Sequence, residues 1–218
     1  MQVFHLPTSV KALIFDIDNT LYANEHYGRL QVELLIRRFA QRFHMSFEEA
    51  QSIIVKEKKT YAAGHEGSNT SIGNIMAMLG VSIEENAGWR DELFKPEDFL
   101  KPDERTIGVV NELSSCFAIA AVTNNTTAIG RRTLAALGLG SLFPLVVGLD
   151  SCFVSKPAKE PFELVLSELQ VSPQHSISLG DRYDVDLKVP LSMGMGGILV
   201  ESLADLYELP ELLCGGQK

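Results

Sequence analysis

KALIFDIDNTLY (residues 11–22) decides how the chain is read. An apolar run, Ala12-Leu13-Ile14-Phe15, stops abruptly and delivers Asp16 and Asp18, two carboxylates separated only by Ile17. Side chains two apart on an extended segment share a face, about 6.6 Å apart along the strand. At an effective dielectric near 20, two charges at that distance repel by roughly 2.5 kcal/mol, against roughly 0.6 kcal/mol in bulk water. Something positive must therefore share the pair, or one acid must hold a proton.

Four further apolar runs rich in β-branched residues read as strands: FAIAAVT (117–123), LVVGL (145–149), SISLG (176–180) and GILVE (197–201). With LIFDI (13–17) they are apolar on both faces, which suits a parallel sheet covered on both sides. Helical patterns lie between them. DERTIGVVNELSS (103–115) offers Asp103 as an N-cap, and TAIGRRTLAALG (127–138) ends on Gly138 at a C′ position. In EPFELVLSEL (160–169), Pro161 falls in a first turn, where proline is tolerated. Strands alternating with helices predict an α/β domain with a Rossmann-like, doubly wound parallel sheet.

Between Tyr22 and about Phe99 the alternation breaks, and only helical patterns remain. Ser46-Phe47-Glu48-Glu49 and Ser82-Ile83-Glu84-Glu85 both fit the capping-box template, with Gly80 closing the helix before the second. The segment reads as a helical insertion after the first strand, with a core formed by 1–21 and 100–218 and an inserted unit of 22–99. GHEGSN (64–69), between two of its helices, reads equally as a mobile loop or a simple surface turn.

Bulk composition sets limits. The chain has 218 residues, 45% apolar and 22% charged, enough for a sizeable core. Its formal charge of −9 argues against nucleic acid as a partner. No stretch approaches the roughly 18 apolar residues of a membrane span, and the N-terminus lacks the basic-then-apolar pattern of a secretory signal. Cys116, Cys152 and Cys214 lie far apart, which fits reduced thiols in a cytoplasmic protein better than a disulfide frame or zinc site. His5, His26, His44, His65 and His175 have no ligand spacing and read as surface or packing. Oligomeric state is not readable.

Ligands of open α/β sheets bind beyond the carboxyl ends of the strands. Asp16, Asp18 and Thr20 follow the first strand, and Thr123, Asn124 and Asn125 the second. Ser155-Lys156-Pro157 follows the third, and Asp181-Arg182-Tyr183-Asp184-Val185-Asp186 the fourth. All converge on one sheet edge: acids from two loops, hydroxyl and amide groups from another, and a cation from the last. Such an oxygen-rich site suits Mg²⁺, which takes one or two carboxylates and completes its shell with water and phosphate oxygens.

At this point the chain resembles the haloacid dehalogenase (HAD) superfamily of hydrolases. Asp16-x-Asp18-x-Thr20 is similar to its first motif, Thr123 to its second, Lys156 to its third, and Gly180-Asp181-x-x-x-x-Asp186 to its fourth. The helical insertion resembles the family's C1 cap, and FDIDNTLY is also similar to the pyrimidine 5′-nucleotidase-like members. The resemblance implies a Mg²⁺-dependent phosphatase acting on a small phosphomonoester, a nucleotide or phosphoglycolate among the candidates. Asp16 would attack phosphorus to form an aspartyl-phosphate, and Asp18 would act as general acid and then base. The Asp16 and Asp181 carboxylates and the Asp18 backbone carbonyl would hold Mg²⁺. Thr123, the neighbouring N–H of Asn124, and Lys156 would bind phosphoryl oxygens. Asp186 would orient Lys156 or a metal-bound water, and Thr20 would stiffen the loop.

Competing readings stand beside these. A phosphomutase would use the same residues, and a HAD-like binding module would be expected to have lost one of the key residues. Dehalogenases of the family lack the acid at the position of Asp18. Lys159 competes with Lys156, although Pro157 favours an extended backbone and a projecting side chain at Lys156. Taken alone, Asp186 reads equally as a cap or turn residue and Thr123-Asn124-Asn125 as a turn, while Asp184 reads as a helix cap. Arg182 is either surface or a substrate contact. If a cap moves over the cleft, Leu21-Tyr22 and Leu100–Pro102 are the expected hinges.

Overall fold

The structure is a computed structural model that describes residues 1–215; the last three residues of the predicted core segment lie outside that range. Its centre is a six-stranded sheet: β1 (Gln2–His5), β2 (Ala12–Phe15), β3 (Ala118–Val122), β4 (Leu145–Val147), β5 (Ser176–Gly180) and β6 (Gly196–Leu199), in the order β1-β6-β5-β2-β3-β4. Every neighbouring pair is parallel except β1 with β6. The mostly parallel α/β architecture agrees with the sequence expectation, and the two differ at the edge. β1 is exposed at all four positions, so burial leaves no mark on its sequence. It is held by backbone pairing to β6.

The inner strands alternate between two cores. Leu13 and Phe15 face a cluster with Val110, Leu113, Leu206 and Leu209, from helices α5 (Glu104–Cys116) and α10 (Leu203–Cys214). Ile14, Ala120 and Val122 face Phe162 and Val165 of α8 (Glu160–Leu169) on the opposite side. Burying each of these large side chains contributes about 1.5–3 kcal/mol. As the sequence predicts, Asp103 caps α5, accepting from Arg105 and Thr106 N–H, and α6 (Thr127–Ala136) stops before Gly138 at φ +74°.

Predicted strands and observed ones differ at their ends. β2 stops at Phe15, because Ile17 carbonyl turns back to accept Thr20 and Leu21 N–H. Asp16 and Asp18 thus lie in a loop rather than on one strand face. β4 stops at Val147, because Gly148 opens the short helix α7 (Leu149–Cys152). A Cβ at Gly148 would sit 2.2 Å from the Thr127 nitrogen, so only glycine fits that approach.

Between β2 and β3 lie helices α1 (Glu25–Arg42), α2 (Phe47–Gly64), α3 (Ile72–Met78) and α4 (Ile83–Leu93), with no strand among them. Ser46 and Glu49 form the full capping box. At the second expected box Ser82 accepts Glu85 N–H, while the Glu85 carboxylate pairs with Arg42. Leu35, Phe39, Ile54, Ile75, Trp89 and Phe94 close a third hydrophobic cluster, joined by Ile129 from α6. The two chain crossings are tied together by Asn24, whose amide donates to Phe99 carbonyl at 3.0 Å. Leu21, Tyr22 and Leu100 there are buried.

Candidate active site

Register brings the site together. Phe15 is level with Leu179 of β5 and with Ala121 of β3, so Asp16, Thr123 and Asp181 emerge at one sheet edge. Asp16 N–H donates to Leu179 carbonyl, extending the ladder up to the acid itself.

Lys156 occupies the centre and is 1% exposed. Its Nζ lies 2.6 Å from Asp16 Oδ1 and 2.7 Å from Asp186 Oδ1. The positive charge that the Asp16 acid requires therefore comes first from the chain itself. Burial opposes the ammonium, yet the two carboxylates hold its pKa above the ordinary lysine value. Lys159, the competitor, is exposed and pairs with Glu163. Asn124 fixes the Lys156 backbone on both sides: its Oδ1 accepts Lys156 N–H at 2.7 Å, and its Nδ2 donates to Lys156 carbonyl at 3.1 Å.

Asp186 is 1% exposed, and its second oxygen accepts Arg182 N–H at 3.1 Å. It rises from a one-turn π-helix (Tyr183–Leu187) and packs on Gly180, where a Cβ would lie 2.3 Å from its own Cβ. Asp184, expected to cap a helix, instead accepts the backbone N–H of Asn69 at 3.0 Å. Lys188 Nζ meets Ser68 Oγ nearby at 3.1 Å, so GHEGSN is a latch between insert and core.

Asp16, Asp181 and Asp186 each offer a carboxylate oxygen, all within 4.8 Å of one another. Burial pushes the Asp16 carboxyl up to about 7 against the pull of Lys156, with Asp186, Asp181 and Asp18 adding to the rise. Asp181 is raised as well, chiefly by burial. Asp181 Oδ1 is buried with no hydrogen-bond partner among the described residues, although Arg182 Nε lies 3.6 Å away as a loose ion pair. An all-oxygen donor set with one orphaned carboxylate oxygen fits a hard divalent cation. Both Asp186 oxygens are engaged at short distance, Asp16 Oδ2 is met only by Thr20 at 3.4 Å, and Asp181 Oδ1 accepts no hydrogen bond, so Asp16 and Asp181 are the more available donors.

Asp18 turns away from this cluster. Tyr22 Oη donates to its Oδ1 at 2.5 Å and Asn125 Nδ2 to its Oδ2 at 2.9 Å. Asn125 is held in turn by Arg90 of α4, whose Nη1 donates to Asn125 Oδ1 at 2.6 Å. Thr20 reaches Asp16 Oδ2 at 3.4 Å, and Thr123, buried, accepts Asn125 N–H. Asp16, Asp18, Asn124, Asn125, Arg90 and Arg182 line a cavity of about 190 Å³ between insert and core. Sequence reading missed Arg90, gave Tyr22 only as an expected hinge, and placed Asn125 at the sheet edge without a role. Only the four-residue spacing of Asp18 and Tyr22 and the position of Asn125 after β3 were local signals.

A protein-family model described as a haloacid dehalogenase-like hydrolase matches residues 10–194. A glyceraldehyde 3-phosphate phosphatase of Methanothermobacter thermautotrophicus is 25% identical over 203 residues, covering 88% of this chain and 86% of the relative. The 5-amino-6-(5-phospho-D-ribitylamino)uracil phosphatase YigB of Escherichia coli is 26% identical, with 85% and 81% covered. Among solved structures, a HAD phosphatase from Thermococcus onnurineus superimposes with a TM-score of 0.63 at 21% identity, covering 94% of this chain and 99% of its own.

Proposed function

The chain belongs to the haloacid dehalogenase-like hydrolases, and from that premise we propose that it is a Mg²⁺-dependent phosphatase of a small phosphomonoester, working through an aspartyl-phosphate on Asp16. One observation carries the reading: buried Asp16 lies against Lys156, and the neighbouring Asp181 keeps an oxygen that accepts no hydrogen bond among the described residues. A charge cluster of that kind has use for an incoming cation and a phosphoryl group.

Asp16 and Asp181, with the Asp18 backbone carbonyl, would hold the magnesium ion, which when bound supplies positive charge to the nucleophile and the phosphoryl oxygens. An Asp16 carboxyl near neutral pKa becomes a full carboxylate when positive charge is added beside it. The Asp16 carboxylate attacks phosphorus as the bond to the leaving oxygen breaks, and that oxygen takes the proton of Asp18. Asp18 then removes a proton from a water that attacks phosphorus, releasing Asp16 and inorganic phosphate. Lys156, Thr123 and Asn124 N–H stabilise charge on the phosphoryl oxygens during both steps. Asp186 and the Asn124 side chain position Lys156. The helical insert (22–99) serves as a cap that opens about Leu21-Tyr22 and Leu100–Pro102 and excludes water when closed.

Hydrolysis of p-nitrophenyl phosphate tests this with Mg²⁺, with EDTA, and with Asp16→Asn. The expected result is turnover only for the unaltered protein with Mg²⁺, and equal rates in all three would end the proposal.

A further inference from the structure

Arg90 carries a charge that the protein leaves half-answered. It is 5% exposed, with the Phe94 ring 5.7 Å from Cζ, yet it forms no ion pair among the described residues. Its acceptors are two amide oxygens, Asn86 Oδ1 at 2.8 Å from Nε and Asn125 Oδ1 at 2.6 Å from Nη1. Nη2 has no acceptor among the described residues. A buried guanidinium with no carboxylate in contact is costly; Asp18 answers it only across Asn125, and Arg90 opens onto the cavity that also holds Asp16 and Asp18. It reaches the cavity from α4 beside Asn125, the partner of the proposed general acid Asp18, whereas the phosphoryl-binding Lys156 contacts Asp16. An anion that meets Arg90 would therefore belong to the leaving group. The cavity, about 190 Å³, is smaller than the roughly 300 Å³ at which pockets for drug-sized ligands begin.

Resting on the phosphatase reading, we infer that Arg90 is a specificity-determining residue that selects phosphomonoesters whose short leaving group bears a carboxylate. Arginine suits this role because its planar fork can keep Asn125 on one nitrogen while a second nitrogen receives a carboxylate oxygen. Arg90 also supports Asp18 through Asn125, so activity alone is an ambiguous readout. The ratio between two substrates cancels that shared contribution.

The test uses three substrates that differ only at one terminal carbon: 3-phosphoglycerate (carboxylate), glyceraldehyde 3-phosphate (aldehyde) and glycerol 3-phosphate (alcohol). A hydrogen bond to a charged group predicts that the unaltered protein prefers the carboxylate by about tenfold or more in kcat/KM. Arg90→Met should bring the three within about threefold of one another, and Arg90→Lys, which keeps the charge, should retain most of the preference. The wild-type comparison stands even if Arg90→Met fails to fold. No preference for the carboxylate in the unaltered protein, or an unchanged ratio in a folded Arg90→Met, overturns the inference while leaving the phosphatase reading intact. Failure to hydrolyse these and p-nitrophenyl phosphate alike would overturn both.

Discussion

The side-chain amide of Asn124 holds the main chain of Lys156 from both sides, accepting its N–H at 2.7 Å and donating to its carbonyl at 3.1 Å. A loop after β3 thereby fixes the loop that carries the central cation, alongside the Asp186 carboxylate that holds the ammonium itself. Asn124→Ala removes both bonds. Its kcat should fall by about 10- to 100-fold, since small misplacements at a reacting centre are that costly. Stability should fall by about 1–2 kcal/mol, read from urea melts. Unchanged kcat would show that Lys156 is held by its carboxylates alone.

Lys156→Met tests the buried charge triad. Removing the ammonium leaves Asp16 and Asp186 facing each other without a cation, at a cost of about 3–5 kcal/mol. The loss should shrink as pH falls and one acid takes a proton. Equal destabilisation at pH 5 and pH 8 would contradict this account.

Metal removal and pH should be linked through Asp16. Its carboxyl is pushed up to about 7 by burial, from an ordinary 3.8. The folded protein therefore binds a proton that the unfolded chain releases. The associated stability is present in full below about pH 4 and is lost as pH rises through about 7. EDTA-treated protein should melt at progressively lower temperature from pH 5 to pH 8. Mg²⁺ should raise the melting temperature more at pH 8 than at pH 5, and equal increments would speak against Asp16 as a ligand.

Asp184 and Asn69 close the latch between the GHEGSN loop and the core. Asp184→Ala should leave the melting temperature nearly unchanged, because partly exposed polar contacts contribute at most about 1 kcal/mol. Cleavage after Glu66 by a glutamyl endopeptidase, followed by mass spectrometry, should become faster. The same cleavage rate in both proteins would mean that Lys188 and Ser68 hold the loop by themselves.

What sequence reading reaches is set by locality. Asp16, Lys156 and Asp186 each follow a strand that burial marks plainly, so the position of the strand is enough to place the acid or the cation. β1 escapes because an edge strand exposed on both faces bears no such mark. Arg90 escapes for a different reason. Its helix is ordinary, and its meaning depends on Asn125, 35 residues away. Asp184 reads as a cap because its partner, Asn69, lies 115 residues distant. Local chemistry is visible in the chain, and chemistry assembled across the gap between insert and core is not.

Ile129 belongs to α6, on the sheet side, yet it is fully buried among the apolar side chains of α1–α4. The clusters of insert and core thus share helix α6, which puts Ile129 into one and Leu134 into the other. Neither can melt without uncovering part of the other, so heat should take the chain apart in one cooperative transition. A recombinant fragment limited to the insert would present an empty socket to solvent and be prone to self-association.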